Sequence, residues 1–167
     1  MAFDATLWIK GVKGESQAYK DCIEIDSFSF GAENNINFGS MTGGGGAGKA
    51  TFKEFEVEKQ TDSASCDLFT SLVTGKHFPE AKIELRRSGA ATDASGDVFM
   101  TFTFTMLMVQ DITWSGQSGD DVPKETVVFQ YGAIKIEYKM QKADGSLQTA
   151  GKAMWSRVLN KATDQVA

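Results

Sequence analysis

Gly43-Gly44-Gly45-Gly46-Ala47-Gly48-Lys49-Ala50-Thr51 is the part of the chain on which the choice of fold turns, because at first sight it spells a nucleotide loop. The phosphate-cradling pattern is G-x-x-x-x-G-K-[ST], and Gly43, Gly48 and Lys49 fill its first three fixed places. Ala50 then stands where a hydroxyl should meet magnesium. The residues after it weigh more heavily still. A phosphate loop opens a helix, whose N-terminal N–H groups bind the anion, but Ala50 to Gln60 alternates with period two, Phe55 and Val57 one way and Glu54, Glu56 and Glu58 the other. The preceding Asn35-Ile36-Asn37-Phe38-Gly39 is a poor buried strand. The glycines are therefore expected in a long loop, Asn34 to Gly48, between two strands.

The same period of two extends outward in both directions. Phe3, Ala5, Leu7 and Ile9 alternate with Asp4, Thr6 and Lys10, Trp8 being the exception on the wetter face. Gly11 to Asp21 reads as loop, and Cys22 to Gly31 resumes a strand with Ile23, Ile25 and Phe28-Ser29-Phe30. One helix is expected after Gln60: Thr61, Asp62 and Ser63 offer N-caps, Leu68, Phe69, Leu72 and Val73 form an apolar stripe, and Gly75 suits a left-handed C-terminus. Cys66 beside that stripe is expected to be buried. Ala81, Ile83 and Leu85 mark another strand, and a turn is expected at Gly89 to Gly96. In Asp97 to Trp114, Val98, Met100, Phe102, Phe104, Met106 and Met108 fall on one face against Thr101, Thr103 and Thr105. Gly116 to Lys124 reads as an exposed connection. In the next strand the apolar parity changes from Val127 and Phe129 to Ile134, Ile136 and Tyr138, which requires a bulge or bend near Tyr131-Gly132. After a turn at Asp144-Gly145, Lys152 to Leu159 is expected to return as a closing strand. Long bent strands suit a closed or nearly closed barrel.

Composition narrows the function classes. The 167 residues form one domain, 1–167, large enough to bury roughly two thirds of the surface its unfolded chain exposes. Seventeen Gly and 12 Phe against 2 Pro lean towards strands and turns. A formal charge of -5 gives no global field for nucleic acid or anionic lipid. Two distant cysteines read as reduced thiols. The start, Met1 to Trp8, carries Asp4 where an apolar signal-peptide core would begin, and no run is long enough for a membrane helix.

The chemical inventory is sparse. His77 is the sole histidine and has no nucleophile patterned around it; zinc needs three or four ligands that this chain does not cluster. Asp120-Asp121 and Asp93 to Asp97 lack the frame of a calcium loop and read as solvated turns. Glu54, Glu56 and Glu58 form an acidic strand face, for which Lys82, Arg86 and Arg87 are candidate partners across a sheet or subunit boundary. The expectation is no enzyme, no metal and no cofactor.

Read together, Gly14-Glu15-Ser16, Glu24 to Gly31, the Gly43 to Lys49 loop, Gly75-Lys76-His77-Phe78-Pro79 and Gln141 to Gly145 resemble the haemolysin-coregulated protein (Hcp) family of bacterial type VI secretion systems. The resemblance spans nearly the whole chain, with a looser match over Gln148 to Lys152 and the terminal tail. It implies a mainly β fold, a distorted antiparallel β-barrel of two packed sheets with one flanking α-helix and a long Gly-rich loop. It also implies a homo-hexameric ring that stacks into a tube, works with the spike and effector proteins of the system, and leaves the bacterial cytoplasm without a cleaved signal peptide, inserting into no membrane and binding no nucleic acid. In this resemblance Phe28, Ser29 and Phe30 face lumen and cargo, with Ser29 the polar residue between two aromatics. The loop residues Asn34, Phe38, Gly43, Gly44, Gly45, Gly46, Gly48 and Lys49 contact the next ring or neighbour. The alternatives are a phage-like contractile-particle tube protein, and a nucleotide-binding protein using Gly43 to Lys49.

Overall fold

A computed structural model describes residues 3–37, 46–87 and 97–167. The expected turn from Gly89 to Gly96 lies outside them, as do Phe38, Gly43, Gly44 and Gly45. The described residues form ten strands and one helix in the order β1 (Phe3–Ile9), β2 (Ile23–Glu24), β3 (Ser27–Ser29), β4 (Ala32–Asn37), β5 (Gly46–Phe52), β6 (Phe55–Gln60), α1 (Ala64–Thr74), β7 (His77–Arg87), β8 (Val98–Ser115), β9 (Lys124–Gln141) and β10 (Leu147–Ser156). The main sheet runs β2-β1-β7-β8-β9-β6-β3 with every pair antiparallel, β10 adds to β9, and β4 with β5 forms a second, two-stranded sheet.

The two ends of that order belong to one short stretch of chain. Beyond β2, Ile25 N–H donates to Ala5 O of β1 at 3.4 Å; beside it, Asp26 N–H donates to Glu58 O of β6 at 2.8 Å. The sheet is thereby curled until a single segment, 23–29, touches both sides. This is a distorted antiparallel barrel of two sheets with one flanking helix, the fold expected.

The core is aromatic at its centre. Phe55 stacks on Phe104 at 4.4 Å and on Phe129 at 5.4 Å, and all three are fully buried with Leu7, Ile9, Ile83 and Leu107 around them. Burying each such side chain is worth about 1.5–3 kcal/mol.

The expected change of parity on β9 falls at Gly132, and β8 changes with it. Thr105 pairs with Ala133 and Leu107 with Tyr131, while Met106, opposite Gly132, takes φ 57°. Below that point Leu107 and Val109 point inward in place of Met106 and Met108, so the expected single apolar face of β8 ends at Phe104; Met108 is exposed. A left-handed Met costs about 1–2 kcal/mol, accepted here because it turns both inner sets towards one core. No residue is inserted in β9; the register shift lies on β8, between Val109 and Asp111.

Three local expectations are corrected. The excursion from Asn34 to Gly48 is strand at both ends, because Asn34 pairs with Ala50 and Ile36 with Ala47. Where its burial is described the ribbon is exposed apart from half-buried Ala50 and Phe52, so no apolar alternation marks it in the sequence. The last strand starts at Leu147 rather than Lys152 and pairs with β9 alone, extending an edge instead of closing the barrel. On α1 the buried residues are Ala64, Ser65, Leu68 and Ser71, while Phe69, Val73 and Cys66 are exposed. The helix lies on β8 through this narrower face, and Phe69 instead meets Trp114 at 5.8 Å. Gly75 ends the helix at φ 69°, as a left-handed C-terminal residue does.

Candidate functional site

β3 alternates as its sequence demands. Phe28 packs on Phe102 at 5.7 Å, and Phe30, just beyond the strand, packs on Phe102, Phe104 and Tyr131 at 5.7–6.2 Å. Ser29 between them is exposed. The two aromatics are half-buried against the core, and the serine between them is the exposed member of the three.

That outward face continues across four strands and is mostly polar, with Val128 buried within it. One rung is Ser29–Glu56–Val128–Asp111 and the next is Ser27–Glu58–Thr126–Thr113. Ser27 Oγ donates to Glu58 Oε2 at 2.8 Å, and Gln110 Nε2 to Glu54 Oε1 at 2.7 Å. Within the chain, Lys82, Arg86 and Arg87 do not meet these carboxylates. Lys82 pairs with Glu80 at 3.0 Å and lies over Trp8; Arg86 pairs with Glu84 and donates to Thr6 Oγ1 at 2.8 Å; Arg87 lies over Phe99. The face is bounded on one side by β3, the last strand of the order, and on the other by the lower part of β8, which β7 leaves at Met108. Both bounding strands therefore carry backbone groups without a strand partner among the described residues.

The ribbon is the second feature. Asn34 and Lys49 are exposed on its strands, Gly46 begins β5, and a Cβ on Gly48 would lie 2.7 Å from Asn35 O. Glycine at 48 therefore lets the two backbones approach. Gly46 to Lys49 are strand, and the strand runs on to Phe52, so no helix N-terminus stands behind Lys49 to hold a phosphate.

A buried polar cluster escapes the sequence reading. Lys59 Nζ, fully buried, donates to Glu125 Oε1 at 2.7 Å, Asp62 Oδ1 at 2.8 Å, Gln60 O at 2.8 Å and Ser65 Oγ at 3.0 Å. Glu125 also accepts from Ser65 Oγ, Thr61 Oγ1 and Trp114 Nε1. A signal for it exists: Lys59 shares the inward parity of Phe55 and Val57, and Glu125 that of Val127 and Phe129. Two opposite charges on inward positions of paired strands announce a buried ion pair.

Titration is shifted at two core groups. Burial pushes the Tyr131 phenol up to about 12, against the opposing pull of Arg157. Burial raises the Cys22 thiol as well. Among the described residues no three of His, Cys, Asp and Glu converge as a metal site, and His77 stands exposed at the start of β7.

A curled antiparallel sheet with a separate two-stranded ribbon and one flanking helix defines a distorted β-barrel. The chain belongs to the Hcp family: the family model described as "Type VI secretion system effector, Hcp" matches residues 6–138. Protein hcp1 of Pseudomonas aeruginosa is 31% identical over 147 residues, 87% of this chain and 89% of that protein. A solved type six secretion system protein superposes with TM-score 0.86 at 33% identity, covering 97% of this chain and 100% of the other. Hcp1 from Salmonella typhimurium gives TM-score 0.74 at 27% identity, covering 98% and 100%. The family comprises secreted structural proteins of type VI secretion, and no described helix here is long and apolar enough to cross a membrane.

Proposed function

We propose that this chain is the repeating subunit of a secreted tube. Six copies form a ring, rings stack, and the lumen shelters effector proteins; the spike protein of the same apparatus is the partner at the tube's end. The protein is made in the bacterial cytoplasm and leaves it with the tube. Its work is structural rather than catalytic.

The observation that carries this reading is the polar face of β3, β6, β9 and lower β8, with an open edge on each side. Unpaired edges favour strand-to-strand association, and cyclic repetition satisfies both edges of every copy at once. On this reading Ser29 and Glu56 face the lumen, while Asn34, Phe38, Gly43, Gly44, Gly45, Gly46, Gly48 and Lys49 serve contact with the next ring. Phe28 and Phe30 act from behind, holding Ser29 outward.

Purified protein examined by light scattering and negative-stain electron microscopy tests the reading. Ring-shaped particles of six subunits are expected; monomer alone at high concentration overturns it. In such rings Ser29→Arg should leave the particle intact and lower effector retention at least severalfold. Unchanged retention removes Ser29 from the cargo surface.

A further inference from the structure

One edge of β9 serves two strands in turn. β6 occupies it from Lys124 to Phe129, and β10 from Ala133 to Gln141. Between them, at Gln130 to Gly132, neither strand pairs with β9. The ribbon strand β5 leads away from β6 at this level, and a cleft of about 430 Å³ opens, lined by Lys49, Thr51, Phe52, Trp155, Arg157 and Asn160.

Arg157 is fixed at the cleft wall. Its backbone N–H donates to Gly132 O at 2.8 Å, and its Nη1 donates to Gln130 Oε1 at 2.9 Å and Tyr131 O at 3.1 Å. The guanidinium lies 5.0 Å from the Tyr131 ring centre and 5.8 Å from that of Phe52. Only Nη1 is used; the other guanidinium donors have no acceptor among the described residues. Lys49 is exposed and forms no ion pair among them. No carboxylate among the described residues lines the cleft. In the same set β5 pairs only with β4, and β10 only with β9, so both strands that border the cleft keep an edge without a neighbour.

We propose that this cleft seats a second copy of the chain, through an extended segment of that copy carrying a carboxylate. The inference rests on the self-assembling reading above and names a contact within it. Its grounds are electrostatic and geometric. Copies of a chain with net charge -5 repel one another at long range, so local contacts of opposite sign favour association. Here two cations meet two aromatic walls and an amide, in a cleft whose described surface carries no acid of its own. An incoming strand finds unpaired backbone groups, and its carboxylate finds Lys49 and the unused Arg157 donors.

Sedimentation of the full-length protein over a range of concentration and salt tests the contact. Lys49→Glu and Thr51→Glu each place a carboxylate in the cleft at a position away from the core; each should raise the dissociation constant of self-association at least tenfold. Lys10→Glu, exposed elsewhere and equal to Lys49→Glu in charge change, is the control and should fall well short of that. The Trp155 emission, taken as the difference between wild type and Trp155→Phe, should lose accessibility to acrylamide as copies associate. If wild type associates while both cleft variants associate equally well and Trp155 stays open to quencher, the cleft is not a seat, and the tube reading stands without it. If wild type remains monomeric at every concentration, self-assembly fails and this proposal falls with it.

Discussion

Lys59 sets the three N–H donors of one ammonium among four oxygens at 2.7–3.0 Å, and this enclosure decides what its replacement would do. A buried pair need not stabilise a fold relative to an apolar pair, but removing one partner strands the other. Lys59→Met should therefore lose about 3–5 kcal/mol in denaturant unfolding, because Glu125 would be left buried without its cation, with only hydroxyl and indole donors around it. Lys59→Met with Glu125→Leu should lose less than the single variant. A double variant as unstable as the sum of both singles would show that the two charges do not act as a pair. The cluster binds β6, β9, Trp114 of β8 and the first turn of α1 to one point, which a chain of apolar contacts would do less selectively.

At the scale of elements, the ribbon and the long hairpin differ in how they can be read. β8 and β9 declare themselves by Phe102, Phe104, Val127 and Phe129, and the bend is legible as a change of parity on β9. β8, read as one apolar face as far as Met108, hides its own because Met106 and Met108 are as apolar as the Leu107 and Val109 that replace them inside. The ribbon strands bury too little to leave an alternating pattern, so Asn34 to Gly48 reads as loop although β4 and β5 pair through their backbones. Cys66, Phe69 and Val73 are misplaced by sequence reasoning for a related reason: α1 packs on β8 by a face of small residues, Ala64, Ser65 and Ser71 around Leu68, and that face has little hydropathy to show. The candidate surface is legible only in part. Ser29 can be singled out through the family resemblance, whereas its rung neighbours Val128 and Asp111 come from distant strands and need the register. Gly48 offers a prediction at this scale. A Val there would force its Cβ within 2.7 Å of Asn35 O, so Gly48→Val should speed amide exchange across β4 and β5 while the thermal midpoint of the barrel changes little. Unchanged exchange in the ribbon would show that the backbones separate without loss of pairing.

For the molecule as a whole, the two cysteines report different openings. Cys66 is exposed on α1 and Cys22 is buried beside β2, its thiol pushed up by burial. A thiol reagent near neutral pH should modify one site per native chain quickly, at Cys66, and the second at a rate set by unfolding. Rate constants for Cys22 measured in rising denaturant should converge with those of global unfolding. A fast second reaction in native buffer would mean that β2 leaves the barrel alone.

That possibility gives the short segment 23–29 a mechanical meaning. Around most of the barrel, hoop tension between neighbouring strands is borne by ladders of many rungs, but between β1 and β6 it passes through a few covalent bonds of one chain, gripped at each end by a short ladder. On the β1 side the grip is the pairing of Thr6 and Leu7 with Glu24 and Ile23; on the β6 side it is three rungs, Ser27 to Ser29 against Glu58 to Glu56. Load that widens the barrel would therefore peel β2 from β1 first, leaving 23–29 attached to β6 as a flap. The girth of this barrel is set by a seam, and the seam has a preferred side on which to open.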